Sequence, residues 1–391
     1  MPEFAHIKLN GPVTVASGPL TAHFRSIQEA EEQGAGACSL KLTFVKVPFP
    51  SEMRSYSVPS NVILSPTNRR LDMDEGTALM KKIKKELSIP MFANIGALGS
   101  TTSEWTVLSR SLEKAGSDAM ELNFCCPNLE TSEHNGSAGS RRGASIAEDP
   151  DACYDITQRV RKEIDIPIVC KILPGDAVLT ETARACEQGG ADGIHVVGQP
   201  TAGLPPLDER GDPVMPLIRG IPPGSSNGSV CKYSTFLSTA KTAQSVDIPV
   251  MASGGLETWK DCIDLVRWGG TAPSVCSAVM WRGYGVIQEI NRGISDYMDL
   301  NGYADLDSIR GSALSHLTTP DKTDILEGHA VVNAEMCIGC GKCTRIGHCT
   351  AITLKEGKAE VDGTECIGCG VCWSVCPAGA ISYEEEDQHA E

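Results

Sequence analysis

Two short cysteine-rich runs near the C-terminus constrain the fold of this 391-residue chain more than any other feature. The second run is Cys366-x2-Cys369-x2-Cys372-x3-Cys376-Pro377, and the first places Cys337, Cys340 and Cys343 at the same spacing, followed by Cys349. Three thiolates on one tight loop can reach three corners of a cubane iron–sulfur cluster, so each run needs a fourth ligand from elsewhere. The spacing therefore predicts two 4Fe-4S clusters in a small C-terminal domain.

The two runs are expected to exchange their fourth ligands, as in the two-cluster ferredoxins that this pattern resembles. One cluster would then bind Cys337, Cys340, Cys343 and Cys376, and the other Cys366, Cys369, Cys372 and Cys349. A pair of zinc sites is the alternative, because zinc sites also use Cys-x2-Cys pairs. The loop before Cys349 is two residues longer than its counterpart, and the adjacent His348 is an alternative ligand.

Candidate strands alternate with amphipathic stretches along the first 300 residues. The strands are predicted at residues 13–17, 37–42, 90–95, 119–124, 167–172, 193–197, 249–253 and 274–277. Eight βα units in roughly 250 to 300 residues are typical of a (β/α)8 TIM barrel. We therefore expect an α/β protein with a TIM barrel over residues 1–305, a linker over 306–330 and a ferredoxin-like α+β domain over 331–391.

Charge and composition narrow the classes of function. The formal net charge is -16, which disfavours nucleic acid and anionic membrane surfaces as partners. The sequence shows no secretion signal and no apolar run of membrane-spanning length. Seventeen cysteines are then expected to stay reduced for metal binding or catalysis. These features predict a cytoplasmic protein that acts on a small molecule.

Polar residues and glycines occupy the ends of the predicted strands, where TIM barrels carry their functional groups. These positions include Ser17, Gly18, Lys41, Asn94, Asn123, Cys125, Cys126, Lys171, Gly198, Gln199, Gly254, Gly255 and Ser277. A lysine at such a position favours an anion or cofactor site, because its ammonium must be desolvated. Paired glycines allow the backbone to approach a phosphate closely.

The stretches VASG, ELNFCCPN, VCKILPG, MASGGL and CSA resemble the dihydroorotate dehydrogenase superfamily along nearly the whole chain. Within it, the dihydropyrimidine dehydrogenases share the double-cluster tail. The resemblance implies an FMN-dependent oxidoreductase that acts on a CH–CH or C=C bond, with Cys126 and Lys171 as catalytic residues. It implies FMN contacts from Ser17, Gly18, Lys41, Asn123, Lys171, Gly228, Ser253, Gly254, Gly255 and Ser277.

Several residues are candidates for substrate contacts. A Gly/Ser-rich segment over residues 130–145 follows Cys126 and is predicted to form a mobile lid. Arg141 and Arg142 in this segment could clamp an anionic group, or could simply be solvated. Asn94, Asn123 and Gln199 are the other candidates. Cys125 is the rival of Cys126 as the acid or base.

The substrate is expected to differ from a pyrimidine. Where the superfamily usually has Thr-Asn-Thr after the sixth strand, this chain has Val197-Gly198-Gln199, and a site with the wrong hydrogen-bonding groups loses affinity for its ligand. Uracil or thymine reduction by a dihydropyrimidine dehydrogenase catalytic subunit remains an alternative, with Asn94 and Gln199 supplying the contacts. Two others are a tRNA dihydrouridine synthase-like enzyme and an electron-transfer subunit without its own substrate.

The electron partner is expected to be a separate protein. No G-x-G-x-x-G follows a predicted strand, so direct use of NAD(P)H is disfavoured. A NAD(P)H-oxidising flavoprotein subunit or a ferredoxin would exchange electrons through the clusters. The resemblance also implies a homodimer or hetero-oligomer.

Overall fold

A computed structural model describes residues 2–47, 49–58, 62–97, 99–100, 103–126, 144–173, 178–198, 201–215 and 217–385. The chain divides into two compact units, Met1–Leu317 and Thr318–Glu391. The domain boundaries drawn from the sequence stay a prediction, since the units are defined by contacts alone. No helix among the described residues is long and apolar enough to cross a membrane.

The strands are β1 (Glu3–Phe4), β2 (Ile7–Lys8), β3 (Thr14–Val15), β4 (Cys38–Ser39), β5 (Thr43–Phe44), β6 (Arg54–Val58), β7 (Val62–Thr67), β8 (Leu71–Asp72), β9 (Met91–Ile95), β10 (Ala119–Asn123), β11 (Ile168–Ile172), β12 (Gly193–Val197), β13 (Thr201–Gly203), β14 (Gly224–Gly228), β15 (Val250–Ser253), β16 (Ala272–Val275), β17 (Gly328–Val332), β18 (Ile352–Lys355), β19 (Lys358–Val361) and β20 (Ile381–Glu385). The helices are α1 (Phe24–Glu32), α2 (Met73–Glu86), α3 (Glu104–Lys114), α4 (Ala144–Ala147), α5 (Pro150–Arg161), α6 (Leu179–Gln188), α7 (Lys232–Ala243), α8 (Trp259–Arg267), α9 (Ser277–Arg282), α10 (Gly285–Asn301) and α11 (Val371–Val375).

Eight parallel strands close into a barrel in the larger unit. Their order is β3, β4, β9, β10, β11, β12, β15 and β16, and β16 pairs back onto β3. The pairing of β9 with β10 completes the ring. The predicted α/β class and TIM barrel are confirmed. All catalytic groups of such a barrel are expected where its strands end.

The eighth strand differs from its prediction. It spans Ala272–Val275 instead of 274–277, and Ser277 begins helix α9. Pro273 lies inside the strand, where proline is disfavoured because it has no N–H to donate. The carbonyl of Pro273 still takes part in the barrel, because it accepts a hydrogen bond from the Thr14 hydroxyl at 3.3 Å. Ser277 therefore presents the start of a helix to the barrel end.

The opposite end of the barrel is closed by the hairpin of β1 and β2. Phe4 and Leu9 lie in an apolar cluster with Phe92, Val169 and Met251 from the barrel strands. The Phe4 and Phe92 rings stack with centroids 6.1 Å apart. This packing excludes water from the N-terminal ends of the strands and leaves the C-terminal ends as the open side.

A second sheet of four antiparallel strands comes from two loops of the barrel. Its order is β13, β14, β7 and β6, so the loop after β5 pairs with the loop after β12. Ser225 of β14 pairs with Ser65 of β7. Side chains from both loops line the cavities described below.

The smaller unit contains two antiparallel strand pairs, β17 with β20 and β18 with β19. Its core combines Ala330, Ile352, Ala359 and Ile381 with cysteine side chains. So small an apolar core provides little stability by itself, and bound metal is the usual supplement.

Candidate active site

Two neighbouring cavities lie at the C-terminal ends of the barrel strands. The first, here called the glycine cavity, encloses about 780 Å³ including open space at its mouth. Its wall includes Ser17, Gly18, Gly198, Gly228, Ser253, Gly254, Gly255, Cys276 and Ser277.

Gly254 and Gly255 lie where other backbone segments come too close to leave space for a side chain. A Cβ atom on Gly255 would lie 2.6 Å from the backbone nitrogen of Lys232 and 2.9 Å from the carbonyl oxygen of Gly228. Gly255 also has φ +77°, a conformation that favours glycine. A Cβ atom on Gly254 would lie 3.0 Å from the backbone nitrogen of Gly198. Backbone atoms, with no side chains between them, form this part of the wall.

The second cavity, here called the cysteine cavity, is lined by Cys125, Cys126, Asn123, Arg70, Leu42 and Ser225. It shares further lining residues with the glycine cavity: Ser17, Lys41, Ser65, Asn68, Lys171, Val197 and Asn227. The two cavities are therefore two parts of one site.

A buried carboxylate holds the polar interior of the barrel together. Glu121 on β10 is fully buried, and Lys171 Nζ lies 3.2 Å from its Oε1. Asn94 Nδ2 donates to the same oxygen at 2.6 Å, and the Ser39 hydroxyl donates to Oε2. His195 Nδ1 lies 3.3 Å from Oε1, and its Nε2 lies 2.9 Å from the Ser253 hydroxyl.

Burial and neighbouring charges set the protonation states here. Burial opposes the charge on Glu121, but Lys171 and the other partners of the carboxylate together outweigh it and hold the pKa of Glu121 well below its usual range. Burial likewise opposes the ammonium of Lys171, yet Glu121 raises the pKa of Lys171. Burial and then Lys171 lower the pKa of His195, which stays neutral. Lys171 thus reaches the cavity with its charge already compensated.

Lys41 has a different environment. It is buried, lines both cavities and forms no ion pair with the described carboxylates. Burial, followed by the nearby Arg70 guanidinium, lowers the pKa of Lys41 to about 7. A bound anion would favour its charged form.

The two cysteines differ in their contacts. Cys125 Sγ donates to Asn123 Oδ1 at 3.3 Å, and burial raises the pKa of Cys125 to about 12. Cys126 Sγ instead accepts a hydrogen bond from Arg70 Nη2 at 3.0 Å. Cys125 is therefore held as a neutral donor, while Cys126 lies beside a positive charge.

Asn94 differs from its expected role. It is fully buried and lines neither cavity, because its amide is engaged by Glu121 and by Asn123 Nδ2 at 3.0 Å. Asn123 does line the cysteine cavity. Gln199, Arg141, Arg142 and most of the segment 130–145 lie outside the described residues, so the predicted lid and its contacts stay predictions.

The site has four further lining residues that were not predicted from the sequence: Arg70, Asn68, Asn227 and Cys276. Asn68 Oδ1 is buried without a hydrogen-bond partner. One signal was available: about thirty residues separate the second predicted strand from the following helix, far more than a usual βα loop. Long loops at the C-terminal side of a barrel often carry function.

In the smaller unit, two cavities each collect four cysteines. One, of about 360 Å³, is lined by Cys337, Cys340, Cys343 and Cys376. The other, of about 520 Å³, is lined by Cys349, Cys366, Cys369 and Cys372, together with His348. His348 Nε2 lies 3.4 Å from Cys369 Sγ. These groupings match the ligand sets expected from fourth-ligand exchange.

Backbone amides contact the sulfur atoms of two of these cysteines. Backbone N–H groups of Ala330 and Ala380 donate to Cys366 and Cys376 sulfurs at 3.4 and 3.3 Å. Such bonds suit thiolate ligands of a cluster.

Comparison with known families decides the class of the protein. Residues 2–298 match the dihydroorotate dehydrogenase family. The chain belongs to this family. Residues 330–383 match the 4Fe-4S dicluster domain. The cofactors of the chain are therefore FMN and two 4Fe-4S clusters. Two zinc sites are thereby excluded as the interpretation of the cysteine runs.

Individual relatives are distant. The chain is 26% identical over 285 residues to the NAD-dependent dihydropyrimidine dehydrogenase subunit PreA of Escherichia coli, covering 69% of this chain and 65% of that protein. It thus spans less than two thirds of that relative. It is 27% identical over 312 residues, 79% of this chain and 97% of the relative, to the catalytic subunit of dihydroorotate dehydrogenase B (NAD(+)) from Pyrococcus abyssi. The corresponding Methanosarcina mazei subunit is 28% identical over 314 residues, 78% of this chain and 93% of the relative.

The glycine cavity fits FMN. Gly254 and Gly255 present backbone atoms to its wall, where N–H groups can bind a phosphate, and Lys41 has no described carboxylate partner. Ser277 begins a helix at the same wall. These features suit a ligand with one anionic end and one polar ring.

Proposed function

We propose that the protein reduces a C=C bond, or oxidises the matching CH–CH bond, of a small substrate in the cysteine cavity. Cys126 gives a proton to one substrate carbon or takes one from it. Bound FMN supplies hydride chemistry at the neighbouring carbon, and the clusters carry single electrons. The observation that carries the proposal is the position of Cys126, in a cavity that shares seven lining residues with the glycine cavity.

The residues around Cys126 support this role. Lys171 and Asn123 stand on neighbouring strands, and Glu121 and Asn94 hold them in place. Rigid support of this kind keeps reacting groups oriented. FMN contacts are proposed for Ser17, Gly18, Lys41, Asn123, Lys171, Gly228, Ser253, Gly254, Gly255 and Ser277. Eight cysteines, four in each of the two sets, are the proposed cluster ligands.

Electrons are proposed to pass between the clusters and a partner protein. The partner would be a NAD(P)H-oxidising flavoprotein subunit or a ferredoxin. The printed names of the relatives, a dehydrogenase "subunit" and a "catalytic subunit", favour a hetero-oligomer. The net charge of -16 makes a tRNA substrate unfavourable. A catalytic thiol in a shared cavity is not needed by a subunit that only relays electrons.

The test compares two adjacent cysteines. Cys126→Ser should keep FMN and both clusters but slow turnover by about 10² to 10⁴-fold, the usual cost of losing a positioned acid or base. Cys125→Ser is the matched control, because serine can also donate to Asn123. Anaerobic stopped-flow kinetics measure both. A large loss at Cys125 with little change at Cys126 would overturn the assignment.

The substrate is proposed to be a molecule other than uracil or thymine. Asn94 is engaged within the barrel, and β12 ends at Val197 and is followed by Gly198. A second candidate, dihydropyrimidine dehydrogenase activity, is favoured by Asn68 and Asn227 in the cavity wall and by the Escherichia coli relative. Mixing reduced enzyme with uracil or thymine, and oxidised enzyme with their dihydro forms, distinguishes the two. Rapid flavin turnover would establish the second candidate.

A further inference from the structure

The two sets of cysteines in the smaller unit differ in the side chains that lie beside them. The set that lines the larger of the two cavities, here called the second set, is Cys349, Cys366, Cys369 and Cys372. The hydroxyl oxygen of Tyr383 lies 3.6 Å from Cys372 Sγ. Nε2 of His348 lies 3.4 Å from Cys369 Sγ. Two sulfurs of the second set therefore have a polar side chain within the longer hydrogen-bonding distance that a sulfur atom allows.

The first set of cysteines has different neighbours. It consists of Cys337, Cys340, Cys343 and Cys376. The backbone N–H of Ala380 donates to Cys376 Sγ at 3.3 Å, and two further backbone N–H groups lie near Cys337. Lys358 donates to the carbonyl oxygen of Cys337 at 2.5 Å, so a positive charge is also close. In the part of the chain that the structure describes, no side chain is hydrogen-bonded to a sulfur of this set. Hydroxyl and imidazole donors thus distinguish the second set.

Iron binding determines the direction of these hydrogen bonds. A cysteine sulfur that binds iron is a thiolate without a proton, so it can only accept a hydrogen bond. The Tyr383 hydroxyl then donates to Cys372, and the proton of a neutral His348 ring lies on Nε2. Tyr383 lies in strand β20, where it pairs with Ala330 of β17. The N–H of Ala330 donates to Cys366 Sγ at 3.4 Å, so one pair of strands provides two donors to the second set.

Such donors change the free energy of adding an electron to a cluster. Reduction makes the cluster and its thiolates more negative, and hydrogen bonds to the sulfurs stabilise that charge, which raises the reduction potential. The two side chains differ in their access to water. Tyr383 is 39% exposed, whereas His348 lies on the surface, where water can replace a lost donor. Tyr383 therefore has the larger expected effect on the potential.

We propose that Tyr383 and His348 raise the reduction potential of the cluster bound by the second set. They are positioning residues that act through Cys372 and Cys369, and they set the potential at which this cluster takes up an electron. Since the first set has no described counterpart of either donor, different groups set the potentials of the two clusters. This inference rests on the proposed function, because it takes the second set as cluster ligands and the clusters as the route of the electrons.

The test measures the potential of each cluster in an anaerobic redox titration of the full-length protein, followed by EPR. The EPR signal that persists in Cys349→Ser belongs to the first set. Tyr383→Phe keeps the ring and removes the hydroxyl. At a fixed potential, the ratio of reduced to oxidised second-set cluster should fall about fivefold in this variant, as expected for one hydrogen bond. This is a shift of about 40 mV toward negative potentials, at 59 mV per tenfold change. The first-set cluster should keep its potential.

Substitutions of His348 test the second donor. His348→Leu should lower the same ratio about twofold, less than Tyr383→Phe because water can replace the exposed N–H. His348→Gln should restore the wild-type ratio, since the glutamine amide can still donate. Trp373→Phe is the matched control, because Trp373 follows Cys372 in the chain and is 60% exposed. This control should leave both potentials unchanged.

Several outcomes would overturn the proposal. Equal shifts of both clusters in Tyr383→Phe would mean that the substitution acts on the smaller unit as a whole. Unchanged potentials in Tyr383→Phe and His348→Leu, with about eight irons bound, would reject this inference and leave the proposed function intact. If Tyr383→Phe binds less iron, His348→Leu and His348→Gln decide, and equal potentials in these two variants would reject the proposal. Loss of iron in His348→Leu would identify the histidine as a ligand. Only about four irons in the wild-type protein would contradict the proposed cluster ligands themselves.

Discussion

Glu121 is a buried residue whose role in the site could not be predicted by inspecting the sequence residue by residue. Lys41 and Lys171 were predicted at the site because they end barrel strands, and both line the cavities. Glu121 lies inside a strand, where no local pattern distinguishes it from a solvent-facing residue. Its role requires β4, β9, β11 and β12 to bring Ser39, Asn94, Lys171 and His195 to one point. Such a point exists only once the barrel is closed.

Glu121→Gln tests this arrangement. Glutamine keeps the shape and can still accept hydrogen bonds, but it leaves the Lys171 ammonium buried without its counter-charge. Breaking a buried pair in this way typically costs about 3 to 5 kcal/mol. Chemical denaturation of the wild-type protein and the variant measures the change in unfolding free energy.

Lys260→Met is the matched control for Glu121→Gln. Lys260 pairs with Asp264 one helical turn away on the surface of α8, with a lysine side chain that is 68% exposed. Exposed pairs contribute little, so a change within about 0.5 kcal/mol is expected. Similar losses in the two variants would show that the Glu121 pair is unimportant to stability.

At the scale of elements, the regular strands were predictable and the inserted sheet was not. All eight predicted strands overlap the barrel strands, the eighth only at Ser274 and Val275, because apolar runs between glycine and proline turns repeat with each βα unit. Strand β14 has the polar sequence GSSNG, without a buried alternating pattern. Its partner β7 comes from a distant loop. The local sequence therefore gave no indication that Asn227 lines the site.

Gly255→Ala tests the turn after β15. A methyl group there would meet backbone atoms of Lys232 and Gly228, which cannot move without displacing the cavity wall. We expect the affinity for FMN to fall at least about tenfold. In addition, an alanine in the left-handed conformation destabilises the fold by roughly 1 to 2 kcal/mol. Fluorescence titration of flavin-free protein measures it. Gly283→Ala has nearly the same φ, +75°, and nothing within 4 Å of its Cβ, so it should bind FMN normally. Equal losses of FMN affinity in the two variants would show that the close approach of backbone atoms at Gly255 does not affect FMN binding.

For the whole molecule, cysteine spacing predicted the two-cluster domain at residues 330–383. Ligand geometry is local to each run, and only the exchanged residues, Cys349 and Cys376, depend on the fold. The cavities group both with the opposite run. What spacing could not resolve is the choice between Cys349 and His348, because both line the same cavity.

Cys349→Ser resolves that choice. The wild-type chain should contain about eight irons, four for each cluster. The variant should lose the cluster proposed to bind Cys366, Cys369 and Cys372, so its iron content should fall toward half. Iron analysis and low-temperature EPR of anaerobically purified protein measure this. His348→Ala, with Cys349 intact, is the control and should retain the wild-type iron. The reverse result would identify the histidine as the ligand.

The pairing of β7 with β14 has a consequence for recombining barrels of this kind. The two loops that contain β7 and β14 are more than 130 residues apart along the chain, yet they share one ladder of hydrogen bonds and both line the two cavities. A graft of either loop alone into another barrel would carry an edge strand with unpaired N–H and C=O groups. New specificity is therefore transplanted in this scaffold only when both loops move together, and sequence changes at Ile63 to Ser65 should be accompanied by changes at Ser225 to Asn227.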